Sequence, residues 1–92
     1  MYVVLVYDVS QQENGSKRWS RIFKICKRYL THIQNSVFEG EISEVRLKEL
    51  LSSAKKFIDE SEDSIIVFKG PNHSSLEKEI VGKERCSIDN FL

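Results

Sequence analysis

Between Tyr2 and Val9 every position is apolar or aromatic except Asp8. A run this short, rich in β-branched and aromatic residues and closed by the polar loop Ser10-Gln11-Gln12-Glu13-Asn14-Gly15, predicts a strand rather than a helix. Alternation places Tyr2, Val4, Val6 and Asp8 on one face and Val3, Leu5, Tyr7 and Val9 on the other. Both faces are apolar, as in a central strand with something covering each side. Asp8 then falls at the carboxyl end of a central strand, where binding sites in open sheets gather.

Asn14-Gly15 gives a turn, and Ser16 is the expected N-cap of a helix. Trp19, Ile22, Phe23, Cys26, Tyr29, Leu30 and Ile33 recur at helical spacing on one stripe, while Lys17, Arg21, Lys24 and Arg28 step along another. Residues 33–42 come next as a mixed strand region, with Val37 and Phe38 on opposite faces. Ser43 is placed to cap a second helix, whose stripe is Leu47, Leu50, Leu51, Ala54, Phe57 and Ile58. The acidic run Asp59-Glu60-Ser61-Glu62-Asp63 ends it, and residues 64–69 read as another strand, apolar on both faces and closed by Gly70-Pro71-Asn72. A weaker strand is expected over residues 78–83 and a last short one near 88–92.

This order predicts an α+β fold, a ferredoxin-like β-α-β-β-α-β arrangement with an extra C-terminal strand, in which an antiparallel sheet carries both helices on one face. Two helices cover one face of four strands and no more. An apolar face of several hundred Å² or more would stay open, and a two-fold homodimer stacking sheet on sheet is the commonest way to cover it.

Composition narrows the class. Ninety-two residues with 40% hydrophobic positions, one proline and four glycines fit a single globular domain over residues 1–92 and not a disordered chain. The apolar runs are too short for a membrane span and the first residues lack a basic n-region, so a cytoplasmic protein without membrane attachment is expected. Cys26 and Cys86 lack metal-ligand spacing and read as buried free thiols. Fourteen basic and fourteen acidic residues cancel, which argues against a general nucleic-acid binder. Their distribution argues the other way. Lys17, Arg18, Arg21, Lys24, Lys27 and Arg28 follow one another without an intervening acid.

Asp8, taken by itself, is most simply a residue that ends a strand and caps the next turn. Ser10 could orient water or substrate beside it, although a serine after a strand is most often turn chemistry. His32, at the end of the first helix, and His73 sit in no catalytic pattern; Trp19 belongs to the apolar stripe, and Phe38 suits either a core or an interface. Lys17, Arg18, Arg21, Lys24 and Arg28 are candidates for sequence-independent contact with nucleic-acid phosphates.

Val6-Tyr7-Asp8-Val9-Ser10, the basic first helix, Gln34-Asn35-Ser36-Val37-Phe38-Glu39-Gly40 and Asp63-Ser64-Ile65-Ile66-Val67-Phe68 together resemble the CRISPR-associated protein Cas2 family in order and spacing, to about Lys69. The resemblance implies a homodimer whose sheets face each other, the terminal strand of one protomer extending the sheet of its mate. It implies a role in CRISPR spacer acquisition, with the dimer bridging the Cas1 integrase and holding double-stranded DNA. It also implies metal-dependent endonuclease activity on single-stranded RNA or double-stranded DNA, with Asp8 as the catalytic and metal-binding residue. One carboxylate is too little for Mg²⁺, but two Asp8 side chains meeting at a two-fold axis would share the ion between protomers. Two other classes compete: a stand-alone toxin ribonuclease resembling virulence-associated protein D, and a ferredoxin-like regulatory module without chemistry.

Overall fold

The computed structural model describes residues 1–85. Its elements run β1 (Tyr2–Asp8), α1 (Gly15–Tyr29), β2 (Thr31–Gln34), β3 (Val37–Glu41), α2 (Glu44–Lys55) and β4 (Ser64–Gly70), followed by a single 3₁₀ turn at His73–Ser75. The sheet order is β2-β3-β1-β4. Every neighbouring pair is antiparallel. β1 and β2 therefore run parallel with β3 between them, and β3 and β4 run parallel with β1 between them, which is the ferredoxin-like arrangement the sequence predicts.

β1 is central, and its two faces differ. Val3, Leu5, Tyr7 and Val9 are buried, joining Ile22, Ile25 and Cys26 of α1, Phe38 of β3 and Leu47, Leu50 and Ala54 of α2 in one core. Tyr2, Val4 and Val6 are half-buried and Asp8 is exposed. On the same face of β4, Ile66 and Phe68 remain 51% and 55% exposed, so the side away from the helices is partly uncovered, as the count of helices against strands requires. The chain after β4 crosses the Tyr2 side of that face. Leu76, Ile80 and Val81 form with Tyr2, Val4 and Val37 a groove of about 690 Å³, the His73 ring meets Tyr2 edge-on at 5.2 Å, and Lys78 pairs with Glu39.

Several local expectations are corrected. α1 is not capped by Ser16. It starts at Gly15 after Asn14, whose φ of 59° is left-handed and whose side chain makes no cap, a conformation asparagine tolerates better than most residues. The strand region 33–42 is a hairpin: Asn35, at φ 42°, turns β2 into β3, and the ladder slips between His32 and Gln34. His32 consequently lies in β2 and not at a helix end. Its Nε2 meets the Asn35 carbonyl at 2.8 Å, and because a carbonyl only accepts, that nitrogen carries the proton. Residues 78–83 form no strand; a run with one apolar pair and alternating charges has too little to bury. The strand expected near 88–92, and Cys86, lie outside the described residues.

The Ser43 cap holds. Its hydroxyl accepts the Arg46 backbone N–H at 3.1 Å. Cys26 is a buried free thiol, and burial pushes its pKa up to about 12. Among the described residues no helix is long and apolar enough to cross a membrane.

Candidate active site at the end of the first strand

The β1–β4 ladder ends with Asp8 opposite Ser64. Asp8 points from the face the helices leave open, is exposed, and among the described residues its carboxylate has no hydrogen-bond or ion-pair partner. Phe38, at 0% exposure, is core and not interface on the described chain. Its ring packs against Tyr7 at 6.3 Å and Phe23 at 5.3 Å.

The loop after Asp8 is held from behind. Asp63, the residue before β4, is buried, and its side chain is wholly inaccessible. Its Oδ1 accepts the Ser10 backbone N–H at 2.9 Å and Arg18 Nη2 at 3.3 Å. Its Oδ2 accepts Arg18 Nε at 3.1 Å and the Asp59 N–H at 2.8 Å. Burial pushes the Asp63 carboxyl up, but the Asp59 and Ser10 amides and the Arg18 guanidinium outweigh it and hold the group below its ordinary value. Arg18 Nη1 also donates to the Glu13 carbonyl. Gly15 completes the arrangement, since a Cβ there would stand 2.2 Å from the Ser10 carbonyl oxygen.

Arg18 is thus drawn out of the basic stripe: each of its guanidinium nitrogens is engaged inside the protein, and its side chain is only 20% exposed. Lys17, Arg21, Lys24 and Arg28 stay exposed. Arg21 lies over the Phe57 ring at 5.2 Å and Arg46 over Tyr29 at 4.5 Å, and Arg46 also pairs with Glu49 at 3.2 Å, so the unpaired basic surface is that of α1. Ser10 is occupied by turn chemistry, its hydroxyl accepting the Gln12 N–H at 3.2 Å. Trp19 is half-buried and stacks on Phe23 at 5.1 Å.

Sequence reasoning missed Asp63, which it placed in an acidic run ending the second helix. The available signal was position, an acid directly before an apolar strand, but its partners lie 45 and 53 residues away.

The strand order and an exposed carboxylate at the end of the central strand define a ferredoxin-like α+β protein whose open sheet face carries Asp8 unpaired among the described residues, while Glu39 and Glu41 on the same face are paired with Lys78 and the Met1 amine. The family model described as CRISPR associated protein Cas2 matches residues 1–78. The "CRISPR-associated endoribonuclease Cas2" of Fusobacterium nucleatum is 54% identical over 92 residues, covering all of this chain and 87% of that protein. The protein of the same name from Pyrococcus furiosus is 36% identical and is covered, like this chain, over its full length. Streptococcus pyogenes Cas2, in a crystal structure at pH 6.5, superposes with a TM-score of 0.79 at 30% identity, over 89% of this chain and all of that one. This chain belongs to the CRISPR-associated protein Cas2 family.

Proposed function

We propose that this chain is a CRISPR adaptation protein that acts as a homodimer, holds duplex DNA through its basic helix face, bridges the Cas1 integrase, and hydrolyses phosphodiester bonds of single-stranded RNA or double-stranded DNA at Asp8. The observation that carries the nuclease reading is the placement of Asp8: exposed, without a hydrogen-bond or ion-pair partner among the described residues, and set at the last backbone pair between β1 and β4. The relatives named endoribonuclease support RNA as a substrate.

The donor chemistry fits a hard divalent cation. A carboxylate without a partner among the described residues suits Mg²⁺, which keeps several waters and takes one or two carboxylates plus phosphate oxygens. Among the described residues no three metal-ligating side chains cluster; Asp8 of one copy would supply one donor, and Asp8 of a second copy the other. Held by the two Asp8 carboxylates, such an ion would supply Lewis-acid polarisation of a phosphodiester and activation of water. The protein's own part is to fix the Asp8 backbone in the β1–β4 ladder and to present the nucleic acid's phosphates to its carboxylate.

The homodimer rests on the open face carrying Ile66 and Phe68, apolar area that a second copy would remove from water. DNA holding rests on Lys17, Arg21, Lys24 and Arg28, which face solvent without a countering acid on their own helix face.

The experiment compares wild type with Asp8→Asn for cleavage of single-stranded RNA and duplex DNA, with Mg²⁺ and with chelator, on protein shown by light scattering to be dimeric. Cleavage that needs the metal and disappears in the variant is expected. Equal cleavage by both proteins would overturn the assignment of Asp8. Absence of cleavage with duplex binding intact would leave the DNA-holding role and remove the nuclease.

A further inference from the structure

We infer that Asp63, acting with Arg18, is the positioning residue of the Asp8 site; the inference rests on the nuclease reading for its consequence and on geometry for its substance. Asp8 occupies the last backbone pair that β1 makes with β4. Two residues further on, the Ser10 N–H has no strand carbonyl to meet, because the chain before Ser64 has turned away and the Asp63 N–H donates to the Asp59 carbonyl at 2.7 Å. The Asp63 side chain stands in for that missing rung, accepting the Ser10 N–H at 2.9 Å. Asp8 is thereby bracketed by a backbone pair on one side and a side-chain rung on the other.

The same carboxylate ties three segments together: the loop after β1 through Ser10, the first turn of α1 through Arg18, and the turn before β4 through the Asp59 N–H. Arg18 adds a second hold on the loop at the Glu13 carbonyl. Successive residues serve the two faces. Ser64 meets Asp8 on the open face, and Asp63 lies buried on the other.

A buried ion pair contributes little net stability beside an apolar pair of the same size, because removing both charges from water offsets their attraction. What it supplies is direction, with four donors converging on two oxygens. Function at Asp8 depends on that direction, since a metal-binding carboxylate must be held to within a fraction of an ångström.

The test uses the full-length dimer with Asp63→Asn, which keeps an acceptor for Ser10 but loses the charge, and Asp63→Ala, which loses both. Amide hydrogen exchange at Ser10 should rise at least about tenfold in Asp63→Ala, with Leu50 in α2 unchanged. kcat on RNA should fall about tenfold to a hundredfold, the cost of a small misplacement, with KM moving less than about threefold. Asp63→Asn should fall between wild type and Asp63→Ala in both readouts, a ranking that a residue contributing stability alone would not produce once all proteins are assayed well below their melting points. Should Asp63→Ala not fold, Asp63→Asn and Arg18→Lys carry the same comparison. Ser10 exchange equal to wild type, or kcat unchanged where Asp8→Asn abolishes cleavage, overturns the inference. If wild type itself cleaves nothing, the nuclease reading falls separately, and Ser10 exchange alone decides whether Asp63 holds the loop.

Discussion

Asp8 and Ser64 face each other across the last rung between β1 and β4, on the side of the sheet that carries no helix. The pairing explains how a carboxylate can be both exposed and fixed: its backbone belongs to a central strand, while its oxygens stay outside the core. Asp8→Asn should therefore cost almost nothing in stability, within about 0.5 kcal/mol as for other unpartnered surface groups, while abolishing metal-dependent cleavage. Urea unfolding alongside the nuclease assay checks both halves.

The Tyr7 hydroxyl donates to the Trp19 carbonyl at 3.1 Å from a side chain that is 1% exposed. Tyr7→Phe keeps the ring packing and removes the side-chain hydrogen bond to a helical carbonyl, leaving that carbonyl its helix donor, so a loss of about 1 kcal/mol is expected in the urea midpoint. Phe38→Ala, which empties the centre of the core, should cost about 3–5 kcal/mol in the same experiment.

Gly15 is confined by its neighbour. A methyl group there would press on the Ser10 carbonyl oxygen at 2.2 Å, and backbone can yield only by moving the loop. Gly15→Ala is expected to destabilise by about 1–3 kcal/mol and to lower cleavage more than Tyr7→Phe does, because the displaced segment is the one directly after Asp8.

Acid should weaken the fold through Asp63. Its carboxyl is held below the ordinary value of 3.8, so the unfolded chain takes up the proton first. The stability this supplies is present above pH 3.8 and is lost as pH falls through the folded-state value. Stability followed from pH 7 down to about pH 2.5 should decline in wild type and decline less in Asp63→Asn. Asp59, held low chiefly by its hydrogen bonds from Ser61, contributes in the same direction and remains in the variant.

For nucleic acid, Arg21→Ala and Lys24→Ala should each weaken duplex binding and reduce the log–log salt slope by about 0.9 per lost phosphate contact. Arg18→Ala should instead unfold at lower urea, since its guanidinium is committed to Asp63 and Glu13. Fluorescence anisotropy across a salt series separates the two effects.

Much of the fold is legible in the sequence, because it is carried by local periodicity. Val3, Leu5 and Tyr7 alternate with Tyr2, Val4 and Val6, so a two-sided central strand can be read from neighbours in the chain, and the stripe through Ile22 and Cys26 likewise marks the buried side of α1. The Ser43 cap is equally local. The helix start at Gly15 was not legible, because Asn14 takes a left-handed conformation that Ser16 gives no sign of. The break of residues 33–42 into a hairpin was missed for the same reason at Asn35.

By itself the sequence determined both helices, the strands β1 and β4, the ferredoxin-like order and the position of Asp8 at a strand end, since each depends on residues a few positions apart. Only the tertiary structure decided which of the basic residues faces solvent and which is consumed inside. Lys17 and Arg18 are adjacent and chemically alike, yet a partner 45 residues away from Arg18 turns one inward and leaves the other in water. Pairing of charges across such a separation is set by how the sheet brings β1 and β4 together, and no periodicity in the chain encodes it.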